Sequence, residues 1–162
     1  MTMTMTIEPY ALTREAGRSI WFLGTLMTLK AAGEQTNGAY GLIEQVLQPG
    51  FTSPLHVHHS EDEAFYLLEG EATFTCGNQS MKAMPGSYVF FPRDIPHWFR
   101  IEGIHPARLL QFNFPAGLEN FFVEMGEPAP KLALPPAGPP DVENLTSTAA
   151  KYDMEILGPP PA

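Results

Sequence analysis

The chain reads as an all-β barrel closed by short C-terminal helices, and three features of the sequence predict it. Between Ile20 and Phe114, short runs of aromatic and branched residues alternate with glycine and proline turn signals, the pattern of many short strands. His56 and His58 stand two apart, a period that puts both imidazoles on one face of an extended strand, about 6.6 Å from each other. After Phe114 the apolar period lengthens to that of a helix and is then broken by prolines.

In chain order, residues 1–19 form an arm able to add an edge strand or a short helix, and the barrel occupies residues 20–115. Its strands are expected at 20–30, 41–48, 64–68, 72–76, 80–83, 87–91, 98–101 and 107–114. Turns fall at Gly33 to Gly38, Gly77-Asn78, Pro85-Gly86 and Glu102-Gly103. Gly77-Asn78 suits a hairpin because both residues tolerate positive φ, and Pro85-Gly86 suits a tight turn with proline setting φ. Residues 116–162 make a helical and proline-rich extension. Within it Leu118, Phe121, Phe122 and Met125 mark a helix stopped by Gly126, and Asp141 is the expected N-cap of a second helix reaching about Tyr152.

A chain of 162 residues suffices for one hydrophobic core and is short for two. A net charge of −9 with only nine scattered basic residues argues against a phosphate-binding surface, so no nucleic-acid partner is expected. No stretch is long and apolar enough to span a bilayer, and the N-terminus lacks a basic start followed by an apolar run, so neither a membrane span nor a leader is expected. The one cysteine, Cys76, excludes an internal disulfide and reads as a small strand residue in a reducing compartment; a cytoplasmic protein is expected. Barrel edges and an apolar arm predict a homodimer to which residues 1–30 contribute.

The chemistry concentrates at His56, His58, Glu63 and His97. Alternation puts Glu63 on one strand face with Phe65 and Leu67. If that apolar pair faces the interior, so does the carboxylate, and a buried carboxylate needs a cation. Three imidazoles and one carboxylate would hold one divalent transition metal, with Fe, Ni, Co, Cu, Zn and Mn all compatible and positions left for water or substrate. Glu61 and Asp62 read instead as a solvated acidic turn, His59 as a surface or supporting residue on the opposite face, and His105 as exposed. Phe65, Phe112, Phe114, Phe121 and Met125 are candidate walls of a pocket for a flat apolar ligand. Gln111 and Asn113 alternate with Phe112 and Phe114, and the pattern leaves open which pair faces inward.

These residues resemble the cupin superfamily. Gly50, His56, His58, Glu63 and Gly70 fall at the spacing of its first motif, and Gly86, Pro92 and His97 match its second. Two positions depart: Asp94 stands where a glycine is expected and Ile101 where an asparagine is expected. The resemblance implies a double-stranded β-helix, or jelly-roll, barrel around the metal. Within the cupins, Gly33 to Thr36, Pro54 to Glu71 and Pro85 to His97 are similar to small quercetin 2,3-dioxygenase-like members. That implies a metal-dependent dioxygenase cleaving a flavonol-like or other enolizable aromatic substrate with O2, Glu63 serving as general base for the substrate hydroxyl. The alternatives are a metal-dependent isomerase, cyclase or lyase of the same class, and a non-enzymatic small-molecule-binding cupin.

Overall fold

The computed structural model describes residues 6–161; the first five residues of the expected arm and Ala162 lie outside the described residues. Among the described residues the strands form two antiparallel sheets, the jelly-roll arrangement expected. The larger sheet runs in the order β11 (Glu127–Pro128), β1 (Arg18–Phe22), β2 (Thr25–Ala31), β3 (Gly41–Leu47), β10 (Ala107–Phe114), β5 (Asp62–Glu69) and β8 (Tyr88–Phe91). The smaller runs β12 (Met154–Gly158), β4 (Leu55–His58), β9 (His97–Glu102), β6 (Glu71–Cys76) and β7 (Gln79–Ala83). Among the described residues there are also three helices: α1 (Gly33–Thr36), α2 (Glu119–Met125) and α3 (Val142–Ala150).

The run 20–30, expected as one strand, is a hairpin. It reverses at Leu23-Gly24, with Phe22 paired to Thr25. Both loop residues have positive φ, 48° and 77°, as a type I′ turn requires. Leucine gives no turn signal, so the apolar pattern runs through the reversal. Other turns follow their chemistry. Gly77 takes φ 59° between the paired Cys76 and Gln79, and Gly86 takes φ 93° while the Ser87 amide donates to the Met84 carbonyl at 2.8 Å. Asp94 adopts φ 68° at the position where the second motif expects glycine; aspartate tolerates this left-handed geometry, and the turn leading to His97 is made.

Asp141 caps α3, its carboxylate accepting the Asn144 amide hydrogen at 3.0 Å. Beyond that helix the chain returns as β12, a strand the sequence did not announce. It lies against β4 with Met154 opposite His58 and Ile156 opposite His56, so the extension supports the histidine-bearing strand. In the arm, residues 6–17 form neither strand nor helix. Lys30 Nζ instead donates to the carbonyls of Thr13, Arg14 and Ala16 at 2.9, 2.8 and 2.7 Å, binding the arm to β2. Two apolar clusters fill the interior. One, around Leu67, Phe74, Phe91 and Leu109, lies between the sheets; the other, around Ile20, Ile43, Phe121 and Ala149, lies under the helices. Among the described residues no helix is long and apolar enough to cross a membrane.

Candidate metal centre

The site forms where the two sheets face each other. β4 carries His56 and His58, and His97 opens β9 directly across from His56. The rings crowd together, with centroids 5.0 Å apart for His56 and His58, 4.4 Å for His56 and His97, and 5.1 Å for His58 and His97. Glu63 reaches them from β5, on the inward face it shares with Phe65 and Leu67. One donor atom from each of the four residues lies within 4.8 Å of all the others.

Their outer nitrogens decide which atoms face that point. Nδ1 lies 2.7 Å from the Pro54 carbonyl in His56, 2.7 Å from the Glu61 carboxylate in His58 and 3.1 Å from the Ile95 carbonyl in His97. These oxygens only accept, so each Nδ1 carries a hydrogen and Nε2 is the nitrogen turned inward. Glu63 Oε2 lies 2.9 Å from His97 Nε2, and Oε1 lies 3.3 Å from His58 Nε2. Yet His58 Nε2, Glu63 Oε2 and His97 Nε2 are buried without a hydrogen-bond partner. Leaving such groups unsatisfied costs about 1–3 kcal/mol each, more where charge is involved. A cation relieves all three at once. The four residues therefore could hold a divalent transition ion, as a borderline metal accepts imidazole nitrogen with carboxylate oxygen.

Three supporting residues escaped the sequence. Glu61, expected in a solvated turn, is buried and fixes His58 through Nδ1; its position three residues past that histidine was the available signal. Gln111 on β10 donates from Nε2 to Glu63 Oε1 at 2.9 Å, and Gln45 on β3 donates to the Gln111 side-chain oxygen. This amide chain holds one oxygen of Glu63 and leaves Oε2 for the cluster. Of the rest of the acidic run, Asp62 pairs with Arg93 at 3.2 Å near the surface. His59 points away, bridging Asp94 at 2.6 Å and Glu155 at 3.0 Å, and so ties β4 to β12. Cys76 is partly buried on β6 and takes no part.

A cavity of about 70 Å³ stands over the four residues, walled chiefly by Phe22, Phe65, Phe99, Phe121, Phe122, Leu145 and Met154. Two of the expected wall residues, Phe65 and Phe121, are there. Phe112 and Phe114 are not: they face outward, stacked with centroids 6.0 Å apart beside Tyr40. Leu109, Gln111 and Asn113 take the inward positions of β10; Gln111 Nε2 donates to Glu63 and, at 3.3 Å, to the Asn113 side-chain oxygen, while Asn113 Nδ2 is buried without a partner. Met125 is also displaced from the cavity; it ends α2 and lines a separate groove outside.

Electrostatics follow from the crowding. Burial opposes a charge on His58, but the carboxylates of Glu63 and Glu61 outweigh it and raise its pKa above the usual imidazole value. Burial likewise opposes charging Glu63, and the same contact with His58, aided by His97, holds it well below the usual carboxylate value. Burial, then repulsion from His97 and His58, lowers His56 to about 3. A metal-free cluster thus keeps a proton on His58, which an incoming cation must displace.

Known proteins agree with this architecture. Residues 43–113 match the family described as Cupin domain. The quercetin 2,3-dioxygenase of Bacillus subtilis (strain 168) is 25% identical over 151 residues, which is 92% of this chain and 44% of that protein, so the chain spans less than half its length. Among solved structures, KdgF from a Halomonas species has a TM-score of 0.60 at 12% identity, covering 69% of this chain and 99% of its own. An RmlC-like cupin from Shewanella frigidimarina NCIMB 400 has 0.58 at 16%, covering 70% and 96%. At those identities the likeness is one of fold. The two-sheet barrel that brings both histidine motifs to one point, and the family match across residues 43–113, give the chain a cupin domain.

Proposed function

We propose that the protein is a metal-dependent dioxygenase acting with O2 on a flavonol-like or other enolizable aromatic substrate. The observation that carries this reading is the buried three-histidine, one-carboxylate cluster opening onto a cavity walled by aromatic and aliphatic side chains. Similarity to the Bacillus subtilis quercetin 2,3-dioxygenase over most of this chain supports it.

A bound divalent ion would supply Lewis acidity, favouring the anion of a substrate hydroxyl. The chain does the remaining work. Glu63 takes the hydroxyl proton on Oε2, while Gln111 retains Oε1 and keeps the carboxylate from rotating. Phe65, Phe99 and Phe121 contact the flat ring and exclude water. Fixing Nδ1–H on all three histidines orients them before substrate arrives.

The test is an oxygen electrode. Protein loaded singly with Fe, Ni, Co, Cu, Zn or Mn is offered flavonols and related enols, and substrate loss is followed in parallel. Oxygen uptake matched to substrate loss supports the reading. Loss without uptake favours an isomerase, cyclase or lyase, and tight binding without loss favours a binding protein.

The working unit proposed is a homodimer. Ile7, Tyr10 and Leu12 of the arm are exposed, as are Tyr66, Tyr88, Phe90 and Phe114 on the outer face of the larger sheet. A second copy of the chain would cover such apolar surface.

A further inference from the structure

The inner cavity, about 70 Å³, is far below the ~300–1,000 Å³ of sites for drug-sized ligands. Directly outside lies a groove of about 760 Å³, bounded by Trp21, Met125 and the proline-rich stretch 135–140. Phe22, Leu23, Phe51, Pro54, Leu145 and Ile156 line both spaces and so form the neck between them. Among these, Leu23 sits in a conformation that does not suit it. Its φ of 48° falls at the first position of a two-residue hairpin loop, where asparagine or glycine is favoured and a bulky residue is an outlier. The turn does not need the leucine side chain: the Thr25 hydroxyl donates to the Phe22 carbonyl across it at 2.6 Å. Backbone strain of this sort persists where a side chain is wanted for something other than the turn.

We propose that Leu23 is a specificity-determining residue, gripping the part of a metal-bound substrate that projects through the neck into the groove. The inference rests on the metal-centre reading and adds the shape of the ligand. Among the described residues no lysine or arginine lines either space, and Glu127 and Asp141 lie on the groove. The ligand is therefore flat, longer than the inner cavity, and without negative charge at the end remote from its metal-binding oxygens.

Two chelators test this on the cobalt-loaded protein. Acetohydroxamate is small enough for the inner cavity, whereas naphthohydroxamate presents the same oxygen pair on rings that must pass the neck. Dissociation constants are read from the visible cobalt spectrum for the native chain, Leu23→Asn and Leu23→Ala. Both variants should bind naphthohydroxamate roughly tenfold more weakly, the worth of a small apolar contact in a pocket, and acetohydroxamate unchanged. Leu23 also packs, half-buried, against the cluster around Phe121, so the melting temperature of each metal-free variant is recorded to establish that it is folded. Equal weakening of both chelators, or no weakening of naphthohydroxamate, overturns the proposal whatever the melting temperature does. If neither chelator perturbs the cobalt spectrum of the native chain, the metal-centre reading itself falls and takes this inference with it.

Discussion

At the scale of single residues, Glu63 does what the histidines cannot, because its carboxylate can both neighbour a cation and take a proton. Glu63→Gln keeps the shape and leaves three imidazoles. Compared at matched metal occupancy, turnover of a verified substrate should fall by roughly 10²–10⁴ while most metal is retained. Full turnover would reduce Glu63 to a neighbour. The proton on His58 gives a second expectation. In metal-free protein its folded pKa is raised above the usual 6.5, so its contribution to stability is fully present below that pH and is lost as pH rises through the raised value. Glu63, depressed from 4.5, contributes above that pH and loses its contribution as pH falls through the depressed value. Metal binding requires neutral His58, so it should release about one proton near pH 7 and tighten as pH rises. Titration calorimetry in two buffers of different ionisation enthalpy reads this; a heat independent of buffer contradicts it. The four cluster residues were legible because motif spacing and strand alternation set their direction. Glu61 and Gln111 were not, since an acidic run and an amide between phenylalanines look alike whether solvated or bonded inside.

Among the elements, Glu119 at the start of α2 ties three segments together. It is 1% exposed, with Oε2 accepting the Gly33 amide at 2.9 Å and Oε1 accepting the Gly117 amide at 2.5 Å. A Cβ on Gly41 would stand 2.6 Å from Oε1, so a side chain there would push the carboxylate off its amide partners. Glu119→Ala leaves two amides without partners. It should destabilise the fold by about 1–3 kcal/mol, read as a lower urea midpoint with unchanged slope. An unchanged midpoint would show that solvent replaces the carboxylate freely. Most strands were readable from their period and turn residues. The hairpin at Leu23-Gly24 was hidden by an apolar residue in a turn, and β12 by its brevity after a helix, since its pairing with β4 is a contact of long sequence separation.

For the molecule as a whole, the sequence could give the barrel class, but the outward face of Phe112 and Phe114 followed only from the burial of Gln111 and Asn113. That outer face bears on association. If it is the homodimer surface, Phe90→Lys combined with Tyr88→Lys should halve the mass found by light scattering at micromolar concentration. A monomeric native chain, or a dimer indifferent to both changes, would reject the surface. The central claim is that the two motif strands and β5 assemble one metal centre inside the barrel. Anomalous scattering from a crystal of the metal-loaded protein tests it most directly. One ion is expected, with Nε2 of His56, His58 and His97 and a carboxylate oxygen of Glu63 at about 2.0–2.2 Å. An ion bound elsewhere, or His97 turned away from it, would show that the four residues do not form one metal centre.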